Sequence, residues 1–391
     1  MVLLCYTLRA MRRWSIGCIL VLLPGVLLLG NVLGTARVAA QDQASFEALD
    51  LQSSLPFDSL AAQLASKRVV FVGEIHDRYD HHLNQLEIIR RLHELDPALA
   101  IGVEYFQQPF QPQVDDYIGG RISEDEFLRA TEYYERWGFD YRLYAPIFRY
   151  ARAQRIPVRA LDLPDSLVSA VSEVGVAGLR ADQREYLPSE IQPPDEGYES
   201  RLRAVFESHP GSTDFDRFVE VQTLRDEGMA ESAAAYLNGD ADRRLVVLAG
   251  SGHMAFGSGI PVALQRRTQA SHAIVLSSGQ EIETGMADYL LLSKKQELPP
   301  AGVLGIRMEQ EDGTCRIRSV SPGGAAAQAG LREGDVLLQI DGQPVSTIAD
   351  ARLALWKKRP GDRVQVQVRR KRLFWTSERD FEVELRAAGG Q

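Results

Sequence analysis

Five short apolar runs, separated by segments of helical periodicity, constrain this chain more than any other feature. They occupy 69–72, 100–103, 156–161, 245–249 and 272–276. Runs this short and this apolar suit strands buried on both faces, and the periodic segments between them suit covering helices. Between the first two runs, Leu83, Leu86, Ile89 and Leu92 recur at helical spacing, and Asp80 is placed to cap a helix reaching about Leu95. The alternation predicts an α/β fold: a mostly parallel sheet with helices on both faces. The stretch 164–240 is almost entirely helical in pattern, apart from a loop at Pro193-Pro194-Asp195, and reads as an added helical part. After a linker at 298–302 come short β-type runs broken by glycine turns, with one helix near 347–358, as expected of a small mixed β domain. The expected organisation is a leader over 1–40, an α/β domain over 41–298 and a second domain over 299–391.

The leader carries the signature of export. Arg9, Arg12 and Arg13 precede an apolar run over 16–33, and small residues follow over 35–40. This order is that of a secretory signal, with Met11 the more natural start. An uncleaved membrane anchor is the alternative, against which stand Pro24-Gly25 and the shortness of the apolar core. The expected location is therefore the periplasm, or a membrane-associated site facing away from the cytoplasm. Cys5 and Cys18 lie in the leader, and Cys18 precedes the apolar run rather than following it, which argues against a lipoprotein site. Cys315 is left alone, so the mature chain has neither an intramolecular disulfide nor a zinc site built on cysteine pairs.

Charge divides the chain. Residues 41–299 hold 25 Lys and Arg against 41 Asp and Glu, whereas 300–391 hold 15 against 12. The acidic first domain argues against non-specific nucleic-acid binding, which basic charge drives.

In open α/β sheets ligands gather beyond the C-terminal ends of the strands. The first run ends in Gly73-Glu74-Ile75-His76-Asp77, the second in Glu104-Tyr105-Phe106, the third in Asp162 and the fourth in Gly250-Ser251-Gly252-His253. Two copies of G-x-x-H, with the carboxylates of Glu74, Asp77, Glu104 and Asp162, thus meet at one rim. Histidine with carboxylate is a ligand set for zinc, manganese or iron, and equally a set for general acid–base work. A ligating histidine needs a hydrogen-bond acceptor on its other nitrogen, and Glu74 or Asp77 is at hand. The candidate metal set is His76, Glu104 and His253, and the candidate catalytic set adds Glu74. His81, His82 and Gln85 fall in the first turns of the next helix, either as neutral ligand-type groups or as a solvated turn. Gln222, Arg225, Asp226 and Met229 share a helix face and form either an internal ion pair or a pocket wall. The dense aromatic stretch 133–144 either packs in the core or stacks on a flat ligand. His93, His209 and His272 are assigned no function.

The segments VVFVGEIHDRYDHHLNQLEIIRRL, IGVEYFQ, IPVRALDLP, QTLRDEGMAES and VVLAGSGHMAFGSGIP, in that order over roughly 55–290, resemble the ChaN family of exported haem-binding proteins within the wider TIKI and erythromycin-esterase-like superfamily. The resemblance implies an α/β core with an added helical part, and a role binding haem in iron uptake, with the iron held by tyrosine and histidine. It leaves open which tyrosine is the ligand. The candidate haem contacts are His76, His81, His82, Tyr105, Asp226 and His253. TIKI-type relatives use paired G-x-x-H histidines and a glutamate as a metal-dependent hydrolase site, and His76, His253, Glu74 and Glu104 stand at the matching positions. The alternative to a haem-binding protein is therefore a hydrolase carrying a divalent ion such as manganese or zinc.

The C-terminal segment, with Leu304-Gly305-Ile306, Val320-Ser321-Pro322-Gly323-Gly324, Glu333-Gly334-Asp335 and Ile340-Asp341-Gly342, resembles a PDZ domain of the bacterial HtrA type. That resemblance implies binding of C-terminal peptides of exported or membrane proteins by strand addition, the carboxylate held by backbone N–H groups at Leu304, Gly305 and Ile306. Ile348, Arg352 and Leu355 lie on one helix face and are expected to line the groove.

Overall fold

The computed structural model describes residues 54–208, 214–279, 281–371 and 375–387. The leader and His209 lie outside these residues. Among the described residues no helix is long and apolar enough to cross a membrane.

Six parallel strands form the first sheet: β1 (Val69–Glu74), β2 (Leu99–Gln107), β3 (Val158–Asp162), β4 (Arg244–Gly250), β5 (His272–Ser277) and β6 (Tyr289–Leu291), in the order β3-β2-β4-β1-β5-β6. β1 and β2 are buried along their whole length, as their continuous apolar runs require. One face is covered by helices including Tyr79–Leu95 and Ala145–Gln154, and the other by Phe215–Asn238 and Ile260–Thr268. The predicted α/β class and helical part are thus present. β6 escaped the sequence because a three-residue edge strand is too short to show a period.

Two local departures have physical causes. The helix begins at Tyr79 with Arg78 as its N-cap, and Asp80 does not cap it. The Asp80 carboxylate instead accepts two hydrogen bonds from the Arg78 guanidinium, at 2.9 and 2.8 Å. In β2 the pairing with β3 shifts between Val103 and Gln107. Four residues of β2 pass there while β3 advances by two, which swings Glu104 and Tyr105 out of the regular ladder.

The second domain is an antiparallel sheet in the order Thr376–Glu384, Arg363–Lys371, Val336–Ile340, Thr314–Val320, Ile306–Glu311. Its own core includes Cys315, Ile317, Leu337, Val366 and Val383. Asp341 and Gly342 both adopt positive φ between Ile340 and Gln343, as a two-residue hairpin turn demands. The helix Ile348–Leu355, hereafter the groove helix, follows. Its successor Trp356 is buried in the core of the α/β domain, so the two domains touch.

Candidate functional site

The sheet order places β1 between β4 and β5, with Glu74 directly opposite Gly250. Both G-x-x-H segments therefore leave the same edge of adjacent strands. β2, on the other side of β4, adds Glu104. His76, Glu74, Glu104 and His253 are all buried. The rim expected from the sequence is thus assembled, and it is a closed polar nest rather than an open cleft.

His76 is oriented by Glu74, whose Oε1 accepts from Nδ1 at 2.5 Å. Its Nε2 forms no hydrogen bond among the described residues. Gly250 makes room for that nitrogen: a Cβ there would stand 3.0 Å from His76 Cε1 and 3.3 Å from Nε2. Burial opposes charge on this imidazole, yet the Glu74 carboxylate and its hydrogen bond, with help from Glu104, raise the pKa above its ordinary value.

His253 is held differently. Its Nδ1 donates to Asp226 at 2.6 Å, and Asp226 accepts a second bond from the Tyr198 hydroxyl at 2.7 Å. Nε2 lies 3.3 Å from Glu104 Oε1, an ion-pair distance with no hydrogen-bond geometry. Burial would lower the His253 pKa, but Glu104 and Asp226 together push it up to about 10. The ring sits between two carboxylates, which favour its charged form. The backbone turn that allows this passes through Gly259, at φ +64°, where a Cβ would stand 2.5 Å from His253 O and 3.0 Å from Asp226 Oδ2. No side chain fits.

Glu104 is the hub. It accepts from Arg225 at 2.9 Å and from the Gly250 N–H at 2.8 Å. Burial favours its neutral form, but His253 and Arg225 outweigh that and hold its carboxyl well below the usual range. Arg225 also bonds Asp162, at 2.7 and 3.2 Å. Burial outweighs this partner and raises the Asp162 pKa. Of the two sequence alternatives for the helix face at 222–229, the internal ion pair is what is seen: Arg225 pairs with Glu104 and Asp162, and Asp226 with His253.

The second histidine tier is buried rather than a solvated turn. His81 accepts from the Ile75 N–H at 3.0 Å and contacts Ser278 O at 2.9 Å, so backbone occupies both ring nitrogens. His82 contacts His76 O and Gln85 Oε1, each at 3.1 Å. Both brace the loop that carries His76.

Aromatic rings close one side. Trp137 and Phe139 pack on His76 with centroids 5.0 and 4.9 Å away, and Tyr144 packs on His82 at 4.4 Å. Phe139 is only half-buried and reaches the surface beside His76. Burial, reinforced by Glu74 and Glu104, raises the Tyr105 phenol well above its ordinary pKa, so it stays protonated. Tyr198 was not foreseen, because it lies in the helical layer with no motif around it. Trp137 and Tyr144 were signalled only as members of a dense aromatic stretch.

Three buried polar atoms at the nest lack hydrogen-bond partners among the described residues: Glu74 Oε2, Tyr105 Oη and His253 Nε2. Such orphans are costly, and a water, ligand or ion would satisfy them. No group of three His, Cys, Asp or Glu side chains among the described residues is arranged to hold a metal ion. A single histidine donor would suit an iron that brings most of its own ligands. His76, its Nδ1 backed by Glu74 and its Nε2 without a hydrogen bond among the described residues, is the residue that would hold such an iron.

In the second domain Leu304 is buried, Gly305 has φ +72° and Ile306 is half-buried. Ile348 and Leu355 pack half-buried on the domain's core, and Arg352 is exposed.

Residues 302–385 match the PDZ domain family. No curated protein matches the chain. Among solved structures, the chain is similar to one described as cofacial heme binding to ChaN of Campylobacter jejuni, with 19% identity and a TM-score of 0.50, covering 61% of this chain and 92% of that one. It is also similar to a mutant of the erythromycin esterase EreC in its open conformation, at 16% identity and a TM-score of 0.37 over 57% of this chain and 74% of that one. The HtrA-type protease AlgW with decapeptide matches at 23% identity and a TM-score of 0.21, over 24% of this chain and 31% of that one. The Campylobacter likeness is one of fold. Residues 60–264, more than half of the chain, match the family described as haem-binding uptake, Tiki superfamily, ChaN, and the chain belongs to that family.

Proposed function

We propose that this chain is an exported haem-binding protein of the periplasm, acting in iron acquisition, with a PDZ module that takes C-terminal peptides of exported or membrane proteins. The observation that carries the haem reading is His76, whose Nδ1 is fixed on Glu74 while Nε2 stands uncommitted beside the half-buried Phe139. Bound haem supplies an iron that accepts an imidazole nitrogen. His76 presents that nitrogen, Glu74 sets its tautomer, and Trp137 and Phe139 offer a dry wall to a flat ligand. Family membership supports the same ligand.

Haem titrated into the purified chain is expected to develop a shifted Soret band, and His76→Ala is expected to lose about tenfold or more in affinity. An unshifted Soret band in the wild type overturns this reading.

A second reading, a hydrolase, is favoured by the relay Tyr198–Asp226–His253 beside Glu104. Its test is hydrolysis of an ester and peptide panel with manganese or zinc added. His253→Ala must abolish any activity found, and an inactive wild type rejects it.

A further inference from the structure

The groove helix serves both domains at once. Ile348 and Leu355 pack on the core of the PDZ domain, whereas Leu353 and Trp356 pack on the core of the α/β domain. Trp356 is 6% exposed. Its Nε1 donates to Asp125 at 2.8 Å, and Lys357 reaches the other oxygen of that carboxylate at 2.9 Å. Arg129 adds a bond to Gln343 at 3.3 Å.

Behind Trp356 an unbroken series of ring contacts leads to the nest. Trp356 meets Tyr141 at 5.3 Å, Tyr141 meets Tyr133 at 5.2 Å, and Tyr133 meets Phe106 at 5.6 Å. Phe106 meets Tyr105 at 6.2 Å, Tyr105 meets Trp137 at 6.0 Å, and Trp137 meets His76 at 5.0 Å. Three hydroxyls inside the series, on Tyr105, Tyr133 and Tyr141, are buried with no hydrogen-bond partner among the described residues. Polar groups left in that state are expensive, so the present packing is one that a rearrangement satisfying them would relieve. Close-packed interiors answer a displaced wall by repacking rather than by stretching.

We propose that the Trp356 contact couples the two domains: a peptide seated against the groove helix changes the aromatic wall at His76, and a ligand at His76 changes peptide affinity by the same factor. The inference rests on the peptide and haem readings given above. It goes beyond them in linking two sites that neither reading connects. Linkage makes the effect reciprocal, whichever ligand is added first.

The test uses the full chain, with haem and a fluorescein-labelled decapeptide ending in three valines and a free carboxylate as probes. On adding peptide, hydrogen exchange is expected to change over 133–144 as well as over 302–385. Saturating peptide is expected to shift haem affinity about 5-fold or more, and haem to shift peptide affinity equally. In Trp356→Ala both probes still bind, the exchange change stays within 302–385, and the factor falls to one. Asp125→Lys, a change to an exposed side chain that breaks the same docking contact, gives the same loss of coupling without opening a cavity. Exchange changes confined to 302–385 in the wild type, or a factor that survives both variants, overturn the coupling. Failure of the decapeptide to bind overturns the coupling together with the peptide reading. A wild type whose Soret band does not move sinks the haem reading alone, because the exchange measurement still decides the coupling.

Discussion

Residue chemistry at the nest is dominated by His253. Its folded pKa of about 10 stands above the ordinary 6.5. A group raised in this direction stabilises the fold fully below about pH 6.5, and the contribution is lost as pH rises through the folded value. Stability in urea is therefore expected to fall between about pH 7 and 10, and Asp226→Asn, which removes one of the two carboxylates, is expected to flatten that decline. A slope unchanged by Asp226→Asn rejects a His253 ring held charged by its two carboxylates. Gly259→Ala belongs to the same scale. A methyl group 2.5 Å from His253 O, on a backbone at φ +64°, is expected to cost about 1–3 kcal/mol or more of stability, read as a lowered Tm. The G-x-x-H motifs were legible because each follows an apolar run. Glu74, the acceptor for His76, was legible as its motif neighbour, whereas the partners of His253 were not. Asp226 and Tyr198 reach His253 from far along the chain, and only packing brings them there.

Among the elements, the helix Phe215–Asn238 does most to organise the site. It is buried over nearly all of 221–230, including Arg225, Asp226 and Glu227. Burying so much charge is tolerable only because each group is matched: Arg225 to Glu104 and Asp162, and Glu227 to Arg266 and Arg267. Removing Arg225 alone strands two buried carboxylates. Arg225→Met is expected to destabilise by about 3–5 kcal/mol, measured by denaturant unfolding. A loss under about 1 kcal/mol would show that Arg225 is not the counter-charge that holds Glu104 in place. The sequence revealed this helix and its polar stripe but not the stripe's role. A polar face inside an apolar pattern reads equally as an ion pair or as a pocket wall. The β2 irregularity at Glu104 was invisible for a related reason, since pairing register depends on the neighbouring strand.

For the whole molecule, the PDZ domain and the α/β domain meet through the buried Trp356, the half-buried Leu353 and a few polar contacts. The peptide reading makes its own prediction at this scale. On that reading backbone N–H groups would capture the carboxylate, so a decapeptide with a free C-terminus is expected to bind the full chain at least about tenfold more tightly than its amidated form. Equal affinities, measured by fluorescence anisotropy, refute carboxylate capture. Removing the second domain is also expected to lower the Tm of the first, because it strips Trp356 from a core that includes Tyr141. The sequence by itself determined the α/β class, the two-domain order, the hairpin at Asp341-Gly342 and the gathering of His76, Glu104 and His253 at one rim. These follow from local periodicity, turn chemistry and the rule that strand ends share an edge. The tertiary structure alone decided that His253 is backed by Asp226, that Arg225 stands between Glu104 and Asp162, and that Trp356 ties the groove helix to the other core. Those are contacts between residues up to more than two hundred positions apart, fixed by burial and by the need to pair every buried charge, and no local pattern records them.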